Sequence, residues 1–149
     1  MKMLAALDLA ETSRDVLREA RNWSHRLFAE LFLIHVADPD PDFVGYGAGP
    51  ESVRLAVAHK FSRAHRQLEA LAVELRKDGV NATALLIQGA TAETILREAD
   101  RLAADVIVMG MRVHGALREL LLGSVSKQVL ARSSRPVLLV PPHDLPQPP

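Results

Sequence analysis

The sequence predicts a single α/β domain built on an open five-stranded parallel sheet with helices on both faces. Three observations predict it. Short apolar runs alternate with longer amphipathic ones along the whole chain, the signature of right-handed crossovers and a parallel sheet. The run Leu31-Phe-Leu-Ile-His-Val36 is apolar on both faces, as a strand covered by helices on each side requires. The length of 149 residues supports one domain with a real core and is too short for two ordinary ones. No internal repeat or boundary appears, so residues 1–149 read as one domain.

Each element follows from a local signal. Met3 to Leu7 is an apolar run that ends at Asp8. Thr12 or Ser13 is placed to cap the next helix, with Asp15 in its first turn. Val16, Leu17, Ala20, Trp23, Leu27 and Phe28 then recur at helical spacing. The strand 31–36 follows. Residues 38–50 hold Pro39, Pro41 and Pro50 with Gly45, Gly47 and Gly49, and read as a long flexible loop. Val57, Phe61, Ala64, Leu68, Leu71 and Leu75 form one stripe of a long helix that stops at Asp78-Gly79. Val80 to Gln88 is a third strand. Thr91 to Ala103 is a helix with Ile95, Leu96, Ala99 and Leu102 inward. Asp105 to Gly110 is a fourth strand, Ser124 to Ser133 a fourth helix and Val137 to Val140 a fifth strand. Residues 141–149 are proline-rich and read as a frayed tail.

Composition removes several function classes. There are 18 basic and 18 acidic side chains and a formal net charge of zero, so nothing favours nucleic acid. Aromatic residues make up 4%, too few for a base-stacking platform. The absence of cysteine removes disulfides, thiolate zinc sites and cysteine nucleophiles. The first apolar run is too short for a signal peptide or a membrane span, and the expectation is a soluble cytoplasmic protein. His25, His59, His65 and His143 read as surface residues and His35 as a strand-end core residue, so no metal site is expected. His114 lies beside the candidate site and stays open. No nucleophile elbow, Walker lysine or Ser-His-Asp spacing is present, so no catalytic residues are assigned.

The segment 105–140 carries the functional signal. A buried strand ends at Gly110, a loop with Arg112 follows, and Gly123-Ser124 opens a helix. Backbone amides, a hydroxyl and a cation around one point make an anion site. Asp8, Val36, Gln88-Gly89 and Gly110 all stand at carboxyl ends of strands, where open sheets bind ligands. Each of these residues also has a plain structural reading: Asp8 as a turn residue, Gly123-Ser124 as a helix start, Arg112 as a solvated charge.

Ala-Asp-Val-Ile-Val-Met-Gly at 104–110 and Leu-Leu-Leu-Gly-Ser-Val-Ser at 120–126, with His35-Val36 and Gln88-Gly89-Ala90, resemble the universal stress protein family over essentially the whole chain. The resemblance implies a Rossmann-like, adenine-nucleotide-α-hydrolase-like sheet and a small cytoplasmic dimer. It implies an adenine nucleotide (ATP, ADP or AMP) as regulatory ligand in a stress response, with any Mg2+ held by the phosphates. It places Ala6, Leu7, Asp8 and Val36 on the adenine and ribose side, and Gly110, Met111 and Arg112 at ribose and phosphates. Gly123, Ser124, Val125 and Ser126 would hold the phosphate chain. Dimerisation would use the last strand, Val137, Leu138, Leu139 and Val140, and a protein partner, not identified, would read the ligand state.

Members that bind ATP carry Gly, two residues, Gly, nine residues, then Gly-Ser or Gly-Thr. This chain has Gly110 and Gly123-Ser124, but Val113 stands where the middle glycine belongs. A β-branched residue resists positive φ and adds bulk near a phosphate; Gly115 offers the loop another route. Two alternatives therefore stand beside the nucleotide reading: a protein-interacting stress dimer without nucleotide, and a slow ATPase.

Overall fold

The computed structural model describes residues 1–37, 51–114 and 119–143. Its order is β1 (Lys2–Ala6), α1 (Thr12–Leu27), β2 (Glu30–Ala37), α2 (Glu51–Lys77), β3 (Ala82–Gln88) and α3 (Thr91–Arg101). Then come β4 (Val106–Gly110), β5 (Arg112–His114), β6 (Glu119–Leu121), α4 (Ser124–Arg132) and β7 (Val137–Val140). Five strands form one parallel sheet in the order β3-β2-β1-β4-β7. The 38–50 loop lies outside the described residues.

The sheet separates two apolar layers, because successive strand residues face opposite sides. On one face Met3, Ala5, Leu31, Leu33 and Val108 pack with Val16 and Ala20 of α1 and with Leu68, Ala72 and Leu75 of α2. On the other, Leu4, Phe32, Ile34, Ile107 and Met109 pack with Ile95 and Ala99 of α3 and Val129 of α4. The chain winds outward from β1 to β3 and then crosses back to β4 and β7. Strand order therefore reverses between β1 and β4, and the crossovers leave a crevice beyond their carboxyl ends.

Three local expectations differ from the structure. The buried face of α1 is Ser13, Val16, Ala20 and Ser24, not the larger apolar residues. Trp23 and Leu27 are each 40% exposed, and Phe28 is 93% exposed at a left-handed helix end with φ +50°. Small side chains let α1 lie close on the sheet, and the large ones fall on its flank. In α2, Leu68, Ala72 and Leu75 are buried, but Phe61 is 36% exposed. The helix is longer than the strands it covers, and its first turns pass beyond them. The segment expected as a loop after Gly110 contains a short antiparallel ladder, β5 with β6, pairing Arg112 with Leu121 and Val113 with Leu120. Of the tail expected to fray, Pro141 to His143 are described, and the His143 amide donates to Asp15 at 3.0 Å. No described helix is long and apolar enough to cross a membrane.

Candidate functional site

A cavity of about 370 Å³ opens at the reversal point. Its apolar floor comes from Ala6, Ile34, Val36 and Met109 at the strand ends, with Val16 of α1 and Ile95 of α3. Its polar rim comes from Asp8, Thr12, Ser13, His35, Thr91, Arg112, Ser124 and Ser126. The volume falls in the range of about 300–1,000 Å³ common to small-molecule sites.

Asp8 organises one lip. The strand register continues for one more bond, Leu7 N–H to Ile34 C=O at 2.9 Å, and the chain then turns. The Asp8 carboxylate accepts from the Ala10 amide at 3.0 Å, the Thr12 hydroxyl at 2.9 Å and the Ser13 hydroxyl at 2.8 Å. Thr12 and Ser13 therefore do not cap α1. Its N-cap is Glu11, in a helical conformation with no side-chain cap bond. An ionised acceptor in reach of both hydroxyls is the stronger partner. Burial pushes the Asp8 carboxyl up, but the Ala10 amide, the Ser13 and Thr12 hydroxyls and the Arg112 guanidinium outweigh it, so its pKa lies below the ordinary value. Arg112 reaches Asp8 from the opposite lip, Nη2 to Oδ2 at 3.1 Å.

The start of α4 forms the other polar end. Gly123 is its N-cap, extended at φ −61° and ψ 161°, with no side-chain cap bond. The carbonyl of Gly123 accepts from the Lys127 amide at 3.0 Å. The amides of Ser124, Val125 and Ser126 thus precede the helical ladder and carry the positive end of the helix dipole. No acidic side chain occupies that first turn. Among the described residues a Cβ on Gly123 would meet nothing within 4 Å, so their packing does not account for glycine here. Gly110 differs: a Cβ there would stand 3.1 Å from Val16 Cγ2, and the glycine lets α1 close on β4. His35 Nδ1 lies 2.7 Å from the Leu7 carbonyl, which only accepts, so Nδ1 carries the proton and ties β2 to the end of β1.

Of the residues expected in the site, Ala6, Leu7, Asp8, Val36, Gly110, Arg112, Gly123, Ser124, Val125 and Ser126 line this one cavity. Met111 does not: its amide donates to Val140 C=O at 2.8 Å and extends the β4–β7 ladder. The sequence reading missed Thr12, Ser13, Val16, Ile34, His35, Thr91, Ile95 and Met109. Position near a strand end was available for Ile34, His35 and Met109. The helix residues had no signal, since which helix leans over the crevice is a tertiary matter. Val113 sits in the extended β5 ladder opposite Leu120. Extended backbone suits a β-branched residue, so positive φ is not demanded there.

The lining combines an apolar floor at the strand ends with an anionic acceptor in Asp8 and with donors in the α4 amides, two serines and Arg112. Among the described residues no group of three or more His, Asp or Glu is placed to hold a metal ion.

The sequence matches the universal stress protein family over residues 1–141. The chain belongs to that family. A universal stress protein of Thermus aquaticus is 34% identical over 138 residues, covering 93% of this chain and 96% of that protein. The structure of MJ0577 from Methanocaldococcus jannaschii superposes with a TM-score of 0.78 at 28% identity, covering 97% of each chain. The universal stress protein from Archaeoglobus fulgidus, solved in complex with dAMP, has a TM-score of 0.65 at 20% identity, covering 94% of this chain and 97% of that one.

Proposed function

We propose that this universal stress protein binds an adenine nucleotide in the cavity between β1 and β4 and uses it as a regulatory ligand. The observation that carries the reading is the convergence of the Asp8 lip, Arg112 and the α4 amino end on one cavity with an apolar floor. The complex of the A. fulgidus relative with dAMP supports the same ligand class. In this reading Ala6, Leu7, Asp8 and Val36 take adenine and ribose, and Gly110, Arg112 and residues 123–126 take ribose and phosphates. Any Mg2+ is held by the phosphates of ATP. The bound ligand shifts the balance between conformations of the cleft lips, and a partner protein in the cytoplasm reads the result. The active unit is a homodimer joined through β7.

Thermal unfolding with AMP, ADP and ATP, with and without Mg2+, tests the reading. A ligand that binds only the folded state stabilises it by about 2.7 kcal/mol at a hundredfold excess over Kd. A melting temperature unmoved by all three at millimolar concentration would leave the protein-interacting dimer as the better account. Phosphate release during the same incubation would point instead to the slow ATPase.

A further inference from the structure

Asp8 has no acceptor site to spare. Its Oδ1 accepts from Ala10 N–H at 3.0 Å and from the Ser13 hydroxyl at 2.8 Å, and the single Thr12 hydroxyl proton, 3.1 Å away, goes to the nearer Oδ2. Its Oδ2 accepts from the Thr12 hydroxyl at 2.9 Å and from Arg112 Nη2 at 3.1 Å. An ionised carboxylate offers about four lone-pair sites, so another donor must displace one of these. All but the last belong to the tight turn that Asp8 itself begins. The Arg112 bond alone crosses the cleft, between residues 104 positions apart, and the Arg112 side chain is 58% exposed. An exposed ion pair of this kind is the weakest-held member of the set. Among the described residues, Asp8 is also the one anion that Arg112 meets.

We propose that Arg112 exchanges Asp8 for the phosphate of the incoming ligand, and that this exchange makes the cavity select nucleotides over nucleosides. The inference rests on the nucleotide reading of the cavity. A ribose hydroxyl that reaches Asp8 takes the place of the guanidinium. When the ligand carries a phosphate, the guanidinium passes from a single bond on Asp8 to a more highly charged anion that can accept its whole fork, a stronger charge-assisted pair. When the ligand is adenosine, the guanidinium is left with water alone, and breaking the pair weighs against binding. Every ligand meets that opposition; a phosphorylated one more than recovers it. Arg112 thus acts against nucleosides as well as for nucleotides, a repulsive element of specificity.

Calorimetric titration of the wild type, Arg112→Ala and Arg112→Lys with AMP and with adenosine tests this. Arg112→Ala should weaken AMP by about tenfold and tighten adenosine by roughly two- to fivefold, because no pair remains to be broken. Arg112→Lys keeps the charge without the fork and should keep part of the preference for AMP. The wild type should show the same opposite signs as salt is raised: adenosine tightens because the pair it must break is screened, and AMP weakens because the contact to its more highly charged phosphate is screened more than that pair. If AMP binds the wild type but adenosine gains nothing from Arg112→Ala or from salt, the exchange is wrong and the nucleotide reading stands. If the wild type binds neither ligand, the reading fails and takes the exchange with it.

Discussion

Asp8 and Gly89 show how single residues set local geometry at the strand ends. The carboxylate of Asp8 gathers an amide, two hydroxyls and a guanidinium, and its pKa is lowered although burial opposes this. A carboxyl that titrates lower in the folded than in the unfolded chain stabilises the fold above its unfolded pKa of about 4. That contribution is lost as pH falls through the folded value. The melting temperature of the wild type should therefore exceed that of Asp8→Asn most at neutral pH, and the gap should close below about pH 4. Calorimetric scans of both proteins along a pH series check this; a gap independent of pH would mean the charge plays no part. Gly89 follows β3 at φ +155°, and a Cβ there would come 2.5 Å from Thr94 Oγ1. Thr94 is itself buried. Gly89→Ala should cost about 1–3 kcal/mol in denaturant unfolding, from backbone strain and the clash together. The sequence places Gly89 at a strand end, but not the threonine that requires glycine there, because α3 brings it into contact.

At the scale of elements, burial divides α2 into two regimes. Leu68 is fully buried between the helix and the sheet, whereas Leu55, nearer the amino end, is 53% exposed. Leu68→Ala should destabilise by about 2–5 kcal/mol through lost contact and the cavity left behind. Leu55→Ala should stay within about 0.5 kcal/mol. Equal losses in urea unfolding would show that the helix is buried along its whole length. The periodicity of α2 was plain in the sequence, but a period cannot say where a helix outruns its sheet. The β5–β6 ladder raises the question of Val113 again. Its backbone is extended and paired, so Val113→Gly should loosen the hairpin and leave nucleotide affinity unchanged or lower. A tenfold gain in calorimetric titration would instead show that phosphates demand a backbone path the ladder does not have.

At the scale of the whole molecule, β7 is an edge of the sheet. Ile107 N–H donates to Pro136 C=O at 3.0 Å and Met111 N–H to Val140 C=O at 2.8 Å. Backbone groups alternate along a strand, so Leu138 and Val140 face β4, and Val137 and Leu139 point their amides outward. Val140 is also buried in the protein's own core, so its side chain is a poor place to disturb an interface alone. Pairing between two copies of β7 would use the outward groups of Val137 and Leu139. The wild type should sediment as a dimer at micromolar concentration. Leu139→Pro, which removes an outward amide and no β4 bond, should weaken it more than Leu139→Ala, which removes only the side chain. A monomeric wild type, or equal effects of the two substitutions, would place the interface elsewhere.

The sequence by itself determined the alternation of strands and helices, the parallel sheet, the strand-end places of Asp8, Val36 and Gly110 and the helix start at Gly123-Ser124. Those follow from local periodicity and from glycines and polar residues at strand ends, which the chain carries in one dimension. Only the tertiary structure decided what α1 buries, since close approach to the sheet selects Ser13, Val16, Ala20 and Ser24 over Trp23 and Phe28. It also decided that Thr12 and Ser13 serve Asp8 instead of capping their helix, and that Arg112 spans the cleft to the same carboxylate. Each of these is a choice between partners that are equally near in the sequence or remote in it. The choice turns on distances that exist only once β1 and β4 lie side by side.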